Sequence, residues 1–146
     1  MRLRKFFLSN TVVFITFGTE EGLPFVAVPF MNLLLESALA RAQFHYPVRL
    51  LFYTLEANHG HLAILVENPE LIPKFIGFFK GQCAHYLNRL LGRKQRTVWI
   101  RRYDSPTVLD FAKAKEIFAY GLLNPVKDRL VDSMFDYPGV SSYRLL

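Results

Sequence analysis

The chain has 146 residues, about half of them hydrophobic, one cysteine and a formal net charge of +6. That length and composition suit one domain over residues 1–146 with a sizeable core. The lone Cys83 excludes an intrachain disulfide or a cysteine-cluster metal site and fits a reducing, cytoplasmic setting. The basic start MRLRKFFLSN lacks the long apolar run and small-residue pattern of an export signal. The most apolar stretch, PFVAVPFMNLLLESALA, is broken by Pro29, Asn32 and Glu36 before reaching the roughly 18 apolar residues of a membrane span, so a soluble protein that does not enter membranes is expected.

Asn10 to Phe17 (NTVVFITF) is rich in β-branched and aromatic residues and stops at Gly18, which predicts a strand followed by the loop GTEEGLP. Apolar residues recur at helical spacing from about Val28 to Phe44, and Pro47 closes that helix. Arg49 to Glu56 and His59 to Glu67 read as two strands joined by a tight Ala-Asn turn, an antiparallel hairpin. Asn68 is placed to cap a second helix from Glu70 to about Leu91, ended by Gly92. Thr97 to Tyr103 (TVWIRRY) predicts a further strand, with Pro106 to Leu109 pairing back on it, and Asp110 caps a third helix that ends at Asn124-Pro125. The order is that of an α+β fold, an antiparallel sheet with packed helices.

The charge is unevenly placed. Residues 1–69 balance five basic against five acidic side chains, whereas residues 70–146 hold thirteen against seven. No acid occurs from Leu71 to Tyr103, where Lys74, Lys80, Arg89, Arg93, Lys94, Arg96, Arg101 and Arg102 all fall. One-signed density of this kind favours a polyanion, and with fourteen Phe and seven Tyr the chain has the means to stack nucleic-acid bases. The alternative is a solvated helix face and loop.

Within ANHGHLAILV, residues 57–66, strand alternation puts His59 and His61 on one face. Two imidazoles side by side can share one ion, or can be hydrogen-bonded histidines at a strand end. In the third helix, Phe111, Ala114, Phe118 and Leu122 make a stripe for the core, and Lys113, Glu116, Tyr120 and Asn124 lie opposite. A tyrosine hydroxyl is a weak nucleophile at neutral pH unless a metal or cation favours its phenolate. Two neutral histidines and an amide oxygen carry no negative charge, so they would hold Mg2+ or Mn2+ weakly until a DNA phosphate supplied an anionic oxygen.

Five stretches in order carry a resemblance: ANHGHLA at Ala57 to Ala63, FKGQCAHYLNRLLGR at Phe79 to Arg93, VWIRRYDS at Val98 to Ser105, AYGLLNPVKDRLV around Tyr120, and DYPGVSSY at Asp136 to Tyr143. Together they resemble the single-tyrosine HUH-type transposases of insertion sequences, most closely the REP-associated tyrosine transposases. The resemblance implies a ferredoxin-like or RRM-like fold and a single-stranded DNA endonuclease and strand transferase acting near hairpins. It implies Tyr120 as the nucleophile forming a 5′-phosphotyrosine bond, and His59, His61 and Asn124 as ligands of Mg2+ or Mn2+. Lys80, Arg89, Arg93, Lys94, Arg96, Arg101, Arg102 and Lys127 are candidate phosphate contacts as a group. A bacterial, nucleoid-associated monomer or homodimer is the matching expectation.

The chain also departs from the family. Gly60 stands between the histidines where relatives carry a bulky apolar residue, which predicts a strand without its anchor. The loop after the first strand holds Glu20 and Glu21 where relatives are often basic. A second function class follows from Gly60, a DNA-hairpin-binding module or regulator with an impaired site. An RNA-binding RRM-like domain is a third, and it leaves Tyr120, Asn124 and the histidines unexplained.

Overall fold

Val12–Gly18 forms the first strand, β1, and its lack of polar alternation has a simple cause: both faces of its sheet are covered. Val13, Ile15 and Phe17 point into one core, while Phe14 points into another on the opposite face. The computed structural model describes residues 5–25, 27–94, 96–100 and 102–145, so Arg101 lies outside the described residues. Pro29–His45 forms α1, Arg49–Glu56 β2, His59–Leu65 β3, Leu71–Leu90 α2, Thr107–Val108 β4, Phe111–Lys127 α3 and Val140–Ser141 β5. All pairings are antiparallel and the sheet order is β4-β1-β3-β2-β5. The first four strands with α1 and α2 are the ferredoxin-like split βαβ arrangement that the sequence led us to expect.

α1 and α2 cover one face, burying Leu35, Ala38 and Leu39 with Phe75, Ile76 and Phe79 against Ile15, Phe17, Leu62 and Ile64. α3 covers the other through a small cluster in which Phe14, Phe52, Ala63 and Val108 meet Ala114, Ile117 and Phe118. Its approach is close because residue 121 is glycine. A Cβ there would lie 2.1 Å from Cζ of Phe52, far inside contact distance.

Several expectations change. The segment from Thr97 to Tyr103 is not a continuous strand; it makes isolated bridges, Trp99 to Thr19 and, just beyond it, Asp104 to Thr16. Ile100 N donates to Gly18 O, and Asp104 and Thr16 exchange both of their bonds. Three residues lie between Ile100 and Asp104 where one lies between Thr16 and Gly18, so a surplus of two interrupts the ladder. β4 then pairs with β1, not with the segment before it. The third helix does not stop at Pro125: Asn124 and Pro125 are both buried, and the next turn closes through Asp128 N to Asn124 O at 2.8 Å. Its packed face is also rotated: Phe111 is 77% exposed, whereas Gly121, Asn124 and Pro125 are buried. Finally, DYPGVSSY supplies an unanticipated edge strand, with Ser141 beside Thr54 and Val140 beside Leu55, anchored where Tyr137 Oη donates to Leu55 O at 2.7 Å.

Gly60 does not leave a hole. It faces the α1–α2 core between its cross-strand neighbours Phe17 and Leu55, and a Cβ there would come within 2.6 Å of both side chains. The volume that a bulky residue at position 60 would take is filled from the adjacent strands, so the expected loss of an anchor is not what the fold shows.

The Gly121 contact yields a test. Gly121→Ala should cost about 1–3 kcal/mol in urea unfolding through overpacking on Phe52. Phe52→Leu in the same chain should recover part of that loss. Additive losses in the double variant would show that the two residues are not in contact.

Candidate active site on the α3 face of the sheet

The two-residue turn Ala57–Asn58 pairs Glu56 with His59, and this register decides which side chains share a face. His59 then lies between Gly18 and Glu56, and His61 between Thr16 and Thr54, with α3 above them. The turn is held in place. Ala57 adopts φ 30°, a conformation that costs a non-glycine residue energy. Asn58 O accepts from Thr19 N at 2.8 Å and from Thr19 Oγ1 at 3.1 Å.

Both imidazoles are held in matching orientations. Nδ1 of His61 is 3.1 Å from Thr16 Oγ1, and Nδ1 of His59 is 3.1 Å from Asn58 Oδ1. A proton on each Nδ1 satisfies these contacts and leaves the Nε2 lone pairs facing α3, the tautomer that metal ligation requires. There Asn124 Nδ2 donates to His59 Nε2 at 2.8 Å and to His61 Nε2 at 3.3 Å. Asn124 is 2% exposed and its Oδ1 has no partner. His61 stacks on Phe14 with ring centroids 5.3 Å apart. Burial pushes its pKa down to about 4, aided by His59 and Lys127, and burial also lowers that of His59, with Asp128 opposing. Both histidines are therefore neutral at pH 7.

Tyr120, one turn before Asn124, sets its ring edge-on to His61 at 5.7 Å and is 44% exposed, so its hydroxyl end can be reached from solvent. Lys127 Nζ lies 4.3 Å from the centre of that ring. Glu116, one turn before Tyr120, pairs with Lys113 at 2.8 Å. Tyr86, the tyrosine of α2, packs against the main core and donates to Gln82 Oε1 at 3.4 Å, away from the histidine pair.

Two residues of the site escaped the sequence reading. Glu56 is fully buried beside His59, and burial raises its pKa to about 7, with the Asn124 amide opposing and Asp128 adding to the rise. Asp128 Oδ2 lies 3.6 Å from His59 Nε2. The hairpin signal could have found Glu56, since a two-residue turn fixes its pairing with His59. Asp128 follows Asn124 by one helical turn and lies beyond Pro125, where local pattern ends the helix.

The basic candidates divide. Among the described candidates, Lys127 alone joins the histidine–tyrosine group. Lys80 lies beside the Trp99 and Tyr103 rings with Nζ 3.4 Å from Ile100 O, and burial lowers its pKa, with Lys5 adding. Arg89, Arg93 and Lys94 share a surface cavity with His85 and Asn88. Arg93 and Arg96 also border a cleft with Glu20 and Glu21, so the acidic loop offsets part of the basic tract. Arg102 is exposed on the bulged segment that runs along β1, whose Gly18 pairs with His59. Trp99 is buried against Phe17 and Phe25 and donates to Lys80 O at 2.7 Å, which occupies it in packing.

Comparison with known proteins agrees with this geometry. Over 99% of the chain the fold matches that of a REP-associated tyrosine transposase bound to a REP hairpin, with a TM-score of 0.83, 16% identity and 84% of that chain covered. A Deinococcus radiodurans R1 protein assigned as a transposase matches over 80% of this chain and 92% of its own, with a TM-score of 0.54 and 16% identity. No curated protein matches in sequence. The family model for IS200-like transposases matches residues 28–120, a span that takes in both histidines, closes on Tyr120 and covers well over half of the sequence; the protein belongs to that family.

Proposed function

We propose that the protein is a metal-dependent endonuclease and strand transferase for single-stranded DNA, with Tyr120 as nucleophile and His59, His61 and Asn124 as ligands of Mg2+ or Mn2+. One observation carries the reading: a single helix brings a half-exposed tyrosine and a buried amide onto two neutral histidines whose Nε2 atoms already converge. The donor set fits such an ion. Asn124 presents its nitrogen to the imidazoles while its oxygen is buried without a partner, and exchanging the two ends of the amide would complete a set of two nitrogens and one oxygen. When bound, the ion would polarise the scissile phosphate and offset its growing charge.

The residues of the chain supply the rest. Tyr120 Oη attacks phosphorus, a 5′-phosphotyrosine bond forms, and the bond to the preceding nucleotide's 3′-oxygen breaks. The phenol proton is lost, the 3′-oxygen gains one, and a free 3′-OH is left. Attack by a 3′-OH on the phosphotyrosine reverses the exchange and joins strands, with no energy-rich cofactor needed. Lys127 beside the ring, and Arg102 on the edge of β1, favour the approach of a phosphate chain. The similar REP-associated transposase is bound to a REP hairpin, and a hairpin-containing single strand is the partner we assign here.

The test is covalent capture. Wild-type protein with hairpin-bearing single-stranded DNA and Mn2+ should give a denaturation-resistant adduct that is lost in Tyr120→Phe and on chelation. An adduct that survives in Tyr120→Phe would move the nucleophile elsewhere, with Tyr86 next in line. Hairpin binding without an adduct under every metal condition would make the protein a binding module.

The buried groups that prepare the ligands also set a pH dependence of stability. Folded His61 takes up its proton near pH 4 and the unfolded chain near 6.5, so stability falls as pH drops through that window. Folded Glu56 keeps its proton up to about pH 7, against 4.5 when unfolded, so stability falls as pH rises from 4.5 to 7. The two oppose each other in the metal-free protein. Glu56→Gln removes the second, and the variant should gain on wild type by on the order of 3 kcal/mol between pH 4.5 and pH 7.5 in urea melts with chelator. Parallel stability–pH curves for the two proteins would contradict ionisation of a buried Glu56.

A further inference from the structure

Glu56 is out of place by ordinary rules. It is fully buried, and among the described residues neither of its carboxylate oxygens has a hydrogen bond of good geometry, although the Asn124 amide lies near enough to favour its charged form. A carboxyl group left in that state is costly unless an opposite charge meets it. Nearby atoms are suited to hold one. Single ligand atoms of Glu56, His59 and Asp128 all lie within 4.8 Å of one another. The orphaned, buried Oδ1 of Asn124 belongs to the amide whose nitrogen contacts His59. Metal–oxygen distances of about 2.0–2.6 Å place two ligands of one ion no more than roughly 5 Å apart, so a single ion can reach all three residues.

We propose that Glu56, His59 and Asp128 form a divalent-cation seat that fills in the absence of DNA. The inference rests on the reading of this face as a metal site and adds what that reading lacks. His59, His61 and Asn124 are neutral, and that set by itself depends on a DNA phosphate for anionic oxygen. Two carboxylates match the charge of a divalent ion without help, and hard Mg2+ and Mn2+ prefer oxygen ligands. Both carboxylates are placed by features already described: Glu56 by the two-residue turn, and Asp128 by the continuation of α3 through Pro125. The centre would then be loaded before the strand arrives, and a phosphate approaching it would meet an ion already balanced in charge.

The experiment is calorimetric titration of MnCl2 into metal-stripped protein without DNA. Wild type should bind one ion per chain, and Glu56→Gln and Asp128→Asn should each weaken binding about tenfold or more with unchanged circular dichroism. Asp128 is 40% exposed at its side chain, so its variant tests the seat even if Glu56→Gln fails to fold. Wild type that binds no Mn2+ without DNA overturns the proposal, as does a folded variant that binds as tightly as wild type. Covalent capture on the same preparations separates the two readings. An adduct without DNA-free binding removes the carboxylate seat alone. DNA-free binding without an adduct leaves the seat and removes the cleavage reading.

Discussion

The register between β2 and β3 is the constraint on which the site depends. Ala57 and Asn58 leave no spare residue in their turn, and a slip of one position would turn His59, His61 and Ala63 into the α1–α2 core while bringing Gly60, Leu62 and Ile64 under α3. Both outcomes are costly, since the main core has no partner for an imidazole and α3 has an amide to offer, not an apolar pocket. Gly60 strengthens the choice. Only a residue without a side chain fits between Phe17 and Leu55, so the glycine that the sequence suggests as a weakness makes this register the one that packs.

The α3 face holds two kinds of chemistry in one layer. Toward one end, Phe14, Phe52, Ala63 and Val108 take Ala114, Ile117 and Phe118 as an ordinary apolar contact. Toward the other, Glu56, His59, His61 and Asn124 are buried to differing degrees with several of their polar atoms short of partners. Such a polar cluster would not hold a helix by itself, because each imperfectly satisfied group counts against folding. The apolar end supplies the attachment, and Gly121, seated on Phe52 between the two, transmits it to Tyr120 and Asn124 on either side. Position and chemistry are thus provided by different residues of one helix.

Much of this could be read from the chain, and the failures share a physical cause. The hairpin, the three helices, the histidine pair and the Tyr120–Asn124 spacing follow from local pattern, since alternation and helical repeat are properties of neighbouring residues. What local pattern missed was decided at a distance. Pro125 ends a helix by its own preferences, but tertiary packing buries it and Asn124, and α3 continues to Lys127 and carries Asp128 into the site. The segment at Thr97 to Tyr103 has strand composition, yet its two-residue surplus against β1 breaks the ladder. Gly60 could be judged only beside Phe17 and Leu55, and β5 is too short to be seen without Thr54 and Leu55 to pair with.

The helix with the most consequential side chains has the smallest core beneath it. α1 and α2 share the large cluster built on Phe17, Phe75 and Phe79, whereas α3 rests on a few residues and leaves Phe111, Leu123 and Tyr120 open to solvent. Local opening free energy follows buried apolar contact, so α3 is the element most readily lifted from the sheet with the rest intact. Tyr120, Asn124, Lys127 and Asp128 would leave together, while His59, His61 and Glu56 stay on the sheet. The polar groups that α3 brings to the site are therefore present as a set or absent as a set. An ion shared between helix and sheet would be bound only when α3 is docked, so it would stabilise that arrangement by its own binding free energy. In the arrangement proposed, a cation that assisted the chemistry would also close an interface that the apolar residues leave weak.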